Sequence, residues 1–540
     1  MTTNVLPSRP ARARFIAPVA ALRLLWIEIK RNAMPWVLPL LAAAYYFDTF
    51  RIADGLPPLW TVRASVISHD MLFDFSVFAA GVCAWVGSRE HRRKATDLLG
   101  TTAWAAWARQ GVTFAGTLCW LLLAFLAGVA VLYVQTAFQA TWGGPPLWPA
   151  IVGLVGVVTV SVIGFTAGTL FPGRFTAPLV AMVVLVPDLV GFRAAYNLTG
   201  LVGPYETHGL LSPAATPPAV DAGVFYHVLP DVSIAQVMFM GGITVALFGV
   251  LGVRVGGGRP TRVVAGFLVA CGVAASCTAF VLTGTAKLTT IGWEIPALHS
   301  ASSGKPVPYT PDCTSASGFR VCVHPAFSGE LSQVATALVP VGTEIAGLPG
   351  APVGATQVAS APVFTTPSSG SDAAFDATFG GSTIAGSPPV FEYNAEQVGD
   401  LVGAFGGSGP VYGAFSGSGP AFGGSGSLAG WRAGFQQGLL DSFVAGPART
   451  VTAALQGGPA SLDPAQQAVM NGLMLAVGTQ PPPPLLEALP NGPPPPSQTP
   501  PDISAAASRF ASLPESARHA WLLTHLAALR AGRVTLAEIP

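Results

Sequence analysis

The sequence predicts an all-α polytopic membrane bundle of six or seven spans, carrying a small extracytoplasmic α/β or β-rich unit and disordered Gly/Pro-rich linkers. Three observations carry this. Of 540 residues, 51% are hydrophobic and only 10% charged, with mean hydropathy +0.53, whereas a soluble domain is about a quarter charged. A wholly soluble globule is excluded. Seven apolar runs approach the ~20 residues that a helix needs to cross the hydrocarbon core. Finally, 62 Gly and 49 Pro exceed what one compact fold accommodates, so linker is expected beside folded chain.

The runs cover residues 33–47, 71–87, 112–134, 148–171, 175–192, 234–253 and 263–283. The first is short and stops at Asp48; the fifth is interrupted by Pro178 and Pro187 and carries Asp188. Lys and Arg stay on the cytoplasmic side of a membrane. With the N-terminus inside, the inner connectors hold fifteen of them, whereas the outer connectors before the seventh run hold only Arg51, Arg63 and Arg193. The chain is therefore expected in the cell membrane, multi-pass, with everything past residue 284 outside. Residues 1–284 hold 18 basic and 11 acidic side chains, and the remainder 9 basic and 15 acidic, an asymmetry that agrees. The first span reads as an uncleaved insertion signal.

Five segments follow: 1–32, a cytoplasmic start with an amphipathic entry helix; 33–284, the bundle; 285–360, a small external unit; 361–430, a Gly/Ser/Pro linker; and 431–540, an external helical tail. In the entry helix Leu22, Leu25, Trp26 and Ile29 share a face, as suits a helix on the inner membrane surface or the start of a longer first span. The external unit has strand-like runs such as 319–324. The linker repeats a Phe-Gly/Ser-Gly-Ser-Gly pattern at Phe405, Phe415 and Phe422, and a polyproline spacer follows near 481–496. Ser512-Leu-Pro-Glu515 reads as a capping box, after which Leu522, Leu526 and Leu529 form a stripe that ends before Gly532.

Chemistry-bearing residues are few. The inner connector 88–110 runs from a basic stretch through Glu90, Asp97, Leu98, Leu99 and Thr102 to Trp104 and Trp107, three residues apart. It is either a docking knob or a basic anchor with Trp at the headgroups. Asp70 and Asp74 lie one helical turn apart, and Asp188 follows Pro187; together they read as a cation or proton site, or as hydrated carboxylates at the outer headgroups. Gly164 and Gly168 make a small-xxx-small face, for packing within the bundle or for dimerisation. Cys313 and Cys322 lie in the external unit, where an oxidising space makes a disulfide the natural pairing. His324 beside them lacks ligands at metal spacing, so no metal is expected. Phosphate-loop, His-Glu-x-x-His and Gly-x-Ser-x-Gly patterns do not occur in the sequence, so no enzyme activity, cofactor or nucleic-acid partner is expected.

The entry helix, the connector with Glu90, Thr96-Asp97-Leu98-Leu99 and Thr101-Thr102, and the paired spans after it resemble the permease subunit of type-2 ABC exporters over residues 18–285. The external stretches Val321-Cys-Val-His-Pro-Ala-Phe327 and Leu348-Pro-Gly-Ala-Pro352 are similar to tails fused to such proteins of actinobacterial type. The resemblance implies that the connector couples to a cytoplasmic ATPase subunit, which uses ATP, and that the substrate path lies between two transmembrane halves, from a homodimer or a second permease. Family members usually have six spans per half, against seven runs here. The alternative is a membrane-anchored surface protein whose external module binds a partner or a cell-wall component.

Overall fold

In a computed structural model the described residues are 18–32, 34–51, 53, 56, 58–94, 105–185, 211, 223–256, 258–289, 291–300, 303–359, 362–364, 377–379, 383–394, 428–446, 462–481 and 500–540. The molecule is mostly helical, with a small mixed sheet.

α1 (Pro18–Arg31) begins on a proline, whose fixed φ suits a first helical turn, and ends on Lys30 and Arg31, which favour the negative end of the helix dipole. It is not the start of a longer span. Asn32 interrupts the chain, and its Oδ1 accepts the Met34 N–H at 3.0 Å, capping α2 (Met34–Tyr45). A π-helical turn, Tyr46–Phe50, extends α2. α3 (Trp60–Val66), a second π turn (Ile67–Met71) and α4 (Leu72–Gly87) form one unbroken helical run. A π turn inserts a residue into the ladder without ending the helix.

α5 (Ala106–Gln139), α6 (Leu147–Leu170), α8 (Asp231–Val255) and α9 (Arg259–Thr283) are each long and apolar enough to cross a membrane, and α7 (Thr176–Leu185) is a shorter apolar helix. Among the described residues the seven apolar runs thus divide into four full-length candidates and three shorter helices, α2, the Phe75–Gly87 part of α4, and α7. α5, at 1.5 Å per residue, extends about 51 Å and overruns the ~30 Å hydrocarbon core.

Small residues set the packing. α4 lies against α6 so closely that a Cβ on Gly164 or Gly168 would overlap the carbonyl oxygens of Ala80 and Ala84. Both glycines of the small-xxx-small face are therefore used inside one chain. α8 and α9 form a hairpin by the same device: a Cβ on Gly272 would meet the Gly242 oxygen at 2.5 Å. In lipid, where apolar surface gains nothing from burial against another helix, such close approach supplies the dispersion contacts that hold helices together. Thr159 fastens the α8–α9 hairpin to α6, its Oγ1 lying 3.1 Å from Met240 O and 3.0 Å from Thr244 Oγ1.

Past α9 the chain forms the hairpin β1 (Lys287–Thr289) and β2 (Gly292–Glu294), then a five-stranded sheet in the order β3-β4-β5-β9-β8. β3 (Asp312–Ala316) pairs antiparallel with β4 (Phe319–Val323), which runs parallel to β5 (Gly354–Val358) after a crossover through α10 (Leu331–Glu344). β5 is parallel to β9 (Val390–Asn394), which pairs antiparallel with β8 (Thr383–Ala385). β6 (Pro362–Phe364) and β7 (Ala377–Phe379) make a separate two-stranded pair. Four of these strands, β6 to β9, arise from residues 361–430, the stretch expected to be linker. Composition there is Gly/Ser/Pro-rich, yet Phe391 and Tyr393 alternate as buried side chains on an interior strand.

Nor are the last helices a separate tail. α11 (Leu428–Ala445), α12 (Pro464–Ala476), α13 (Pro501–Ser512) and α14 (Glu515–Arg530) share one buried core with the sheet and α10, running from Phe319 and Val321 through Leu338, Phe443, Leu473 and Phe510 to Leu522, Leu526 and Leu529. The Leu stripe is thus the buried face of α14. The Ser512–Glu515 capping box does not form: Pro514 takes the N-cap position, and Ser512 closes α13 with its hydroxyl donating to Arg509 O. Capping boxes form instead at Asp463/Gln466 and Thr535/Glu538. Arg518 crosses this domain, its Nε 2.7 Å from Glu344 Oε1 and its Nη1 donating to Leu513 O.

Candidate functional site

The basic ends of the apolar helices collect at one face, and there α1 lies along the first turns of α5. Gly116 makes the approach: a Cβ there would sit 2.9 Å from Glu28 Cβ. Trp120 Nε1 donates to Ile29 O at 3.0 Å, and Asn32 Nδ2 to Thr117 Oγ1 at 3.0 Å. Glu28 turns toward the end of α4, where Arg89 grips it with two bonds of 3.0 and 3.1 Å. Arg89 also reaches Thr113 Oγ1 at 3.4 Å. One residue on, Glu90 accepts from Arg109 Nε at 2.9 Å and Nη2 at 3.2 Å.

Two bidentate carboxylate–guanidinium pairs therefore brace both ends of the connector, one to the entry helix and one across its own base. The geometry is the planar fork that gives such pairs direction. Both are partly exposed, so their value is orientation more than stability. Around them, Arg92 lies 3.3 Å from the Trp85 ring centroid and Lys30 4.8 Å from that of Trp26, aromatic and basic side chains side by side as at a headgroup boundary.

Of the connector residues singled out from sequence, Glu90 is in this brace. Trp107 is not a projecting knob: its ring packs 5.3 Å from that of Phe248, and a Cβ on Gly252 of α8 would come within 2.8 Å of it. Asp97, Leu98, Leu99, Thr102 and Trp104 lie outside the described residues, as does Asp188. Asp70 falls in the π turn Ile67–Met71 and Asp74 in α4, with their side chains outside the described set. Glu28, Arg89 and Arg109 are the members that sequence reasoning missed. Glu28 is the first acidic residue of the chain and stands alone among Arg23, Lys30 and Arg31, a signal that it answers a base elsewhere.

At the opposite face the sheet domain sits on the bundle. Thr141 Oγ1 donates to Pro325 O at 2.8 Å, Val307 N to Phe225 O at 2.8 Å, and Leu59, Val224 and Phe225 belong to the domain's core. Cys313 and Cys322 oppose each other in the β3–β4 register and are joined as a disulfide. His324, fully buried, holds the centre of the junction, with Trp142, Phe225 and Tyr309 at ring-centroid distances of 4.9, 4.8 and 4.2 Å. Its Nδ1 accepts from Ala326 N at 3.0 Å, and burial pushes its pKa down to about 4. Among the described residues no group of three His, Cys, Asp or Glu side chains is placed to hold a metal ion. Compared with known proteins, the chain matches no family model, no curated protein and no solved structure.

Proposed function

We propose that this chain is the permease-like membrane subunit of an ABC export system driven by a separate cytoplasmic ATPase. The braced connector is the observation that supports it. A push on residues 88–110 would pass through Glu90–Arg109 into α5 and through Arg89–Glu28 into α1, so an external motor would move helices rather than merely bend a loop. In this reading the N-terminus and connector are cytoplasmic, six or seven spans cross the cell membrane, and the sheet domain is outside. A homodimer or a second permease completes the substrate path.

The test is affinity isolation of the full chain from its native membranes, followed by assay for ATP hydrolysis. A phosphate-loop ATPase should accompany the chain and be lost in an Asp97→Ala/Trp104→Ala variant that still folds. Isolates without such an ATPase, or equal retention by the variant, would sink the reading.

The second reading, a surface protein whose external module binds a partner or cell-wall component, is supported by the shared core of the sheet domain and the terminal helices. It predicts binding to isolated cell wall that is indifferent to connector variants.

A further inference from the structure

The collar between bundle and sheet domain encloses a half-open pocket of about 430 Å³, inside the range of small-molecule sites. Its walls come from separate parts of the chain: Trp60 and Thr61 of α3, Trp142 before α6, Trp148 within it, and Tyr226 ahead of α8. Two of the rings are fixed from behind, Trp60 by Tyr133 at 5.8 Å and Trp142 by His324 at 4.9 Å. Gly143 keeps Trp60 in place: it adopts φ +83°, and a Cβ on it would come 3.3 Å from Trp60 Cδ1. Neighbouring Gly144 is exposed, and a Cβ there would meet nothing within 4 Å, so this strip of backbone forms an open lip.

The chemistry of the lining selects a ligand class. Among the described residues no Asp, Glu, Lys or Arg lines the pocket, which disfavours phosphate, carboxylate and ammonium groups, because each would leave water without a counter-charge. The walls nonetheless carry polar side chains: the indoles of Trp60, Trp142 and Trp148, the Tyr226 phenol and the His227 ring. Broad aromatic faces with scattered neutral donors and acceptors match a ring that is apolar on its C–H face and hydroxylated at its rim. We propose that this collar binds a neutral hexopyranose, carried on a glycolipid headgroup or free. The pocket's position beside α3 and α6, at the end of the bundle away from the basic connectors, would put a lipid-borne sugar at its own depth; only that placement rests on the orientation proposed above.

The experiment uses the full chain in nanodiscs of phosphatidylglycerol and phosphatidylethanolamine, prepared without sugar-based detergent, with tryptophan fluorescence as readout. Methyl α-glucoside, α-mannoside and α-galactoside are titrated as free sugars, and glucosyl-diacylglycerol is added to the disc in a separate arm. A saturable change is expected with at least one free sugar if the source is soluble, or with the glycolipid alone if the lipid must present it. Trp148→Ala should weaken binding at least tenfold. Gly144→Phe, which fills the lip without disturbing packed atoms, should abolish it while size-exclusion behaviour and near-ultraviolet dichroism stay as in the parent. No saturable change in any arm, saturation with phosphocholine instead of sugars, or binding unaltered by both substitutions would overturn the proposal. No ATPase takes part, so the outcome is separate from that of the transport test.

Discussion

Two buried ionisable groups of opposite sense are expected to leave the stability of the sheet domain nearly flat between pH 7 and 5, each hiding the other. Burial among aromatic rings pushes the His324 pKa from 6.5 down to about 4. Between those values the unfolded chain takes up a proton that the folded one refuses, so stability is lost as pH falls from 6.5 to 4. Asp441 on α11 behaves inversely. Burial raises its pKa from 3.8 to about 7, and its Oδ1 is buried without a hydrogen-bond partner, so the folded chain keeps a proton that the unfolded one releases. Stability is therefore lost as pH rises from 3.8 to 7. At about 1.4 kcal/mol per pH unit where a group is fully titrating, going from pH 7 to 5 costs about 2 kcal/mol at His324 and, because folded Asp441 is already half protonated at pH 7, restores about 2 kcal/mol there.

Substitution separates the two contributions. Asp441→Asn imitates the protonated acid at every pH, and His324→Asn offers Oδ1 to the Ala326 N–H without a titrating ring. The assay is thermal melting of the full chain in micelles at pH 7 and pH 5, followed by near-ultraviolet dichroism. For a domain of this size about 1 kcal/mol moves the midpoint by roughly 2–4 °C. Relative to the parent's own shift on acidification, Asp441→Asn should fall by about 4–8 °C and His324→Asn should rise by about 4–8 °C. The comparison with the parent cancels the surface carboxylates that all three proteins share. Identical pH 7-to-5 shifts in the three would refute the reasoning.

Other outcomes follow from the packing. Gly168→Ala and Gly164→Ala each drive a Cβ into a backbone carbonyl of α4; overpacking of this kind costs about 1–3 kcal/mol, read as an earlier melting midpoint in micelles and loss of the monodisperse size-exclusion peak. Arg518→Met leaves Glu344 buried without its 2.7 Å partner and should destabilise the sheet domain by about 3–5 kcal/mol, with Arg518→Met/Glu344→Met recovering most of that loss. Cys313 and Cys322 should resist an impermeant maleimide on intact cells until a reductant is added and then label; labelling before reduction, or none after it, contradicts the paired external placement. Replacing both by Ser should cost about 2–3 kcal/mol of thermal stability through the lost loop closure.

Periodicity and spacing were legible wherever one helix face or one strand decides the outcome. The Leu522, Leu526 and Leu529 stripe is buried as its spacing requires, and the described part of each apolar run falls on a helix, the structure in which backbone groups away from water pair within their own segment. Spacing alone left Gly164 and Gly168 with two readings, since a small-residue face does not name its partner; the structure supplies Ala80 and Ala84 of the same chain. Composition misled at β6 to β9, where Gly and Ser neighbours mask short strands, and Pro514 overrode the local capping signal of Ser512.

What the sequence determined by itself was the set of apolar helices, the basic side chains at their ends and the pairing of Cys313 with Cys322. Hydropathy, charge and short separations suffice for these because each acts between near neighbours or on a whole segment. Tertiary structure alone decided the connector's brace, with Glu28 and Arg89 61 residues apart, the burial of His324, and the union of the sheet with the terminal helices. Those contacts join residues far apart along the chain, and no local pattern carries the information of which distant surface will arrive.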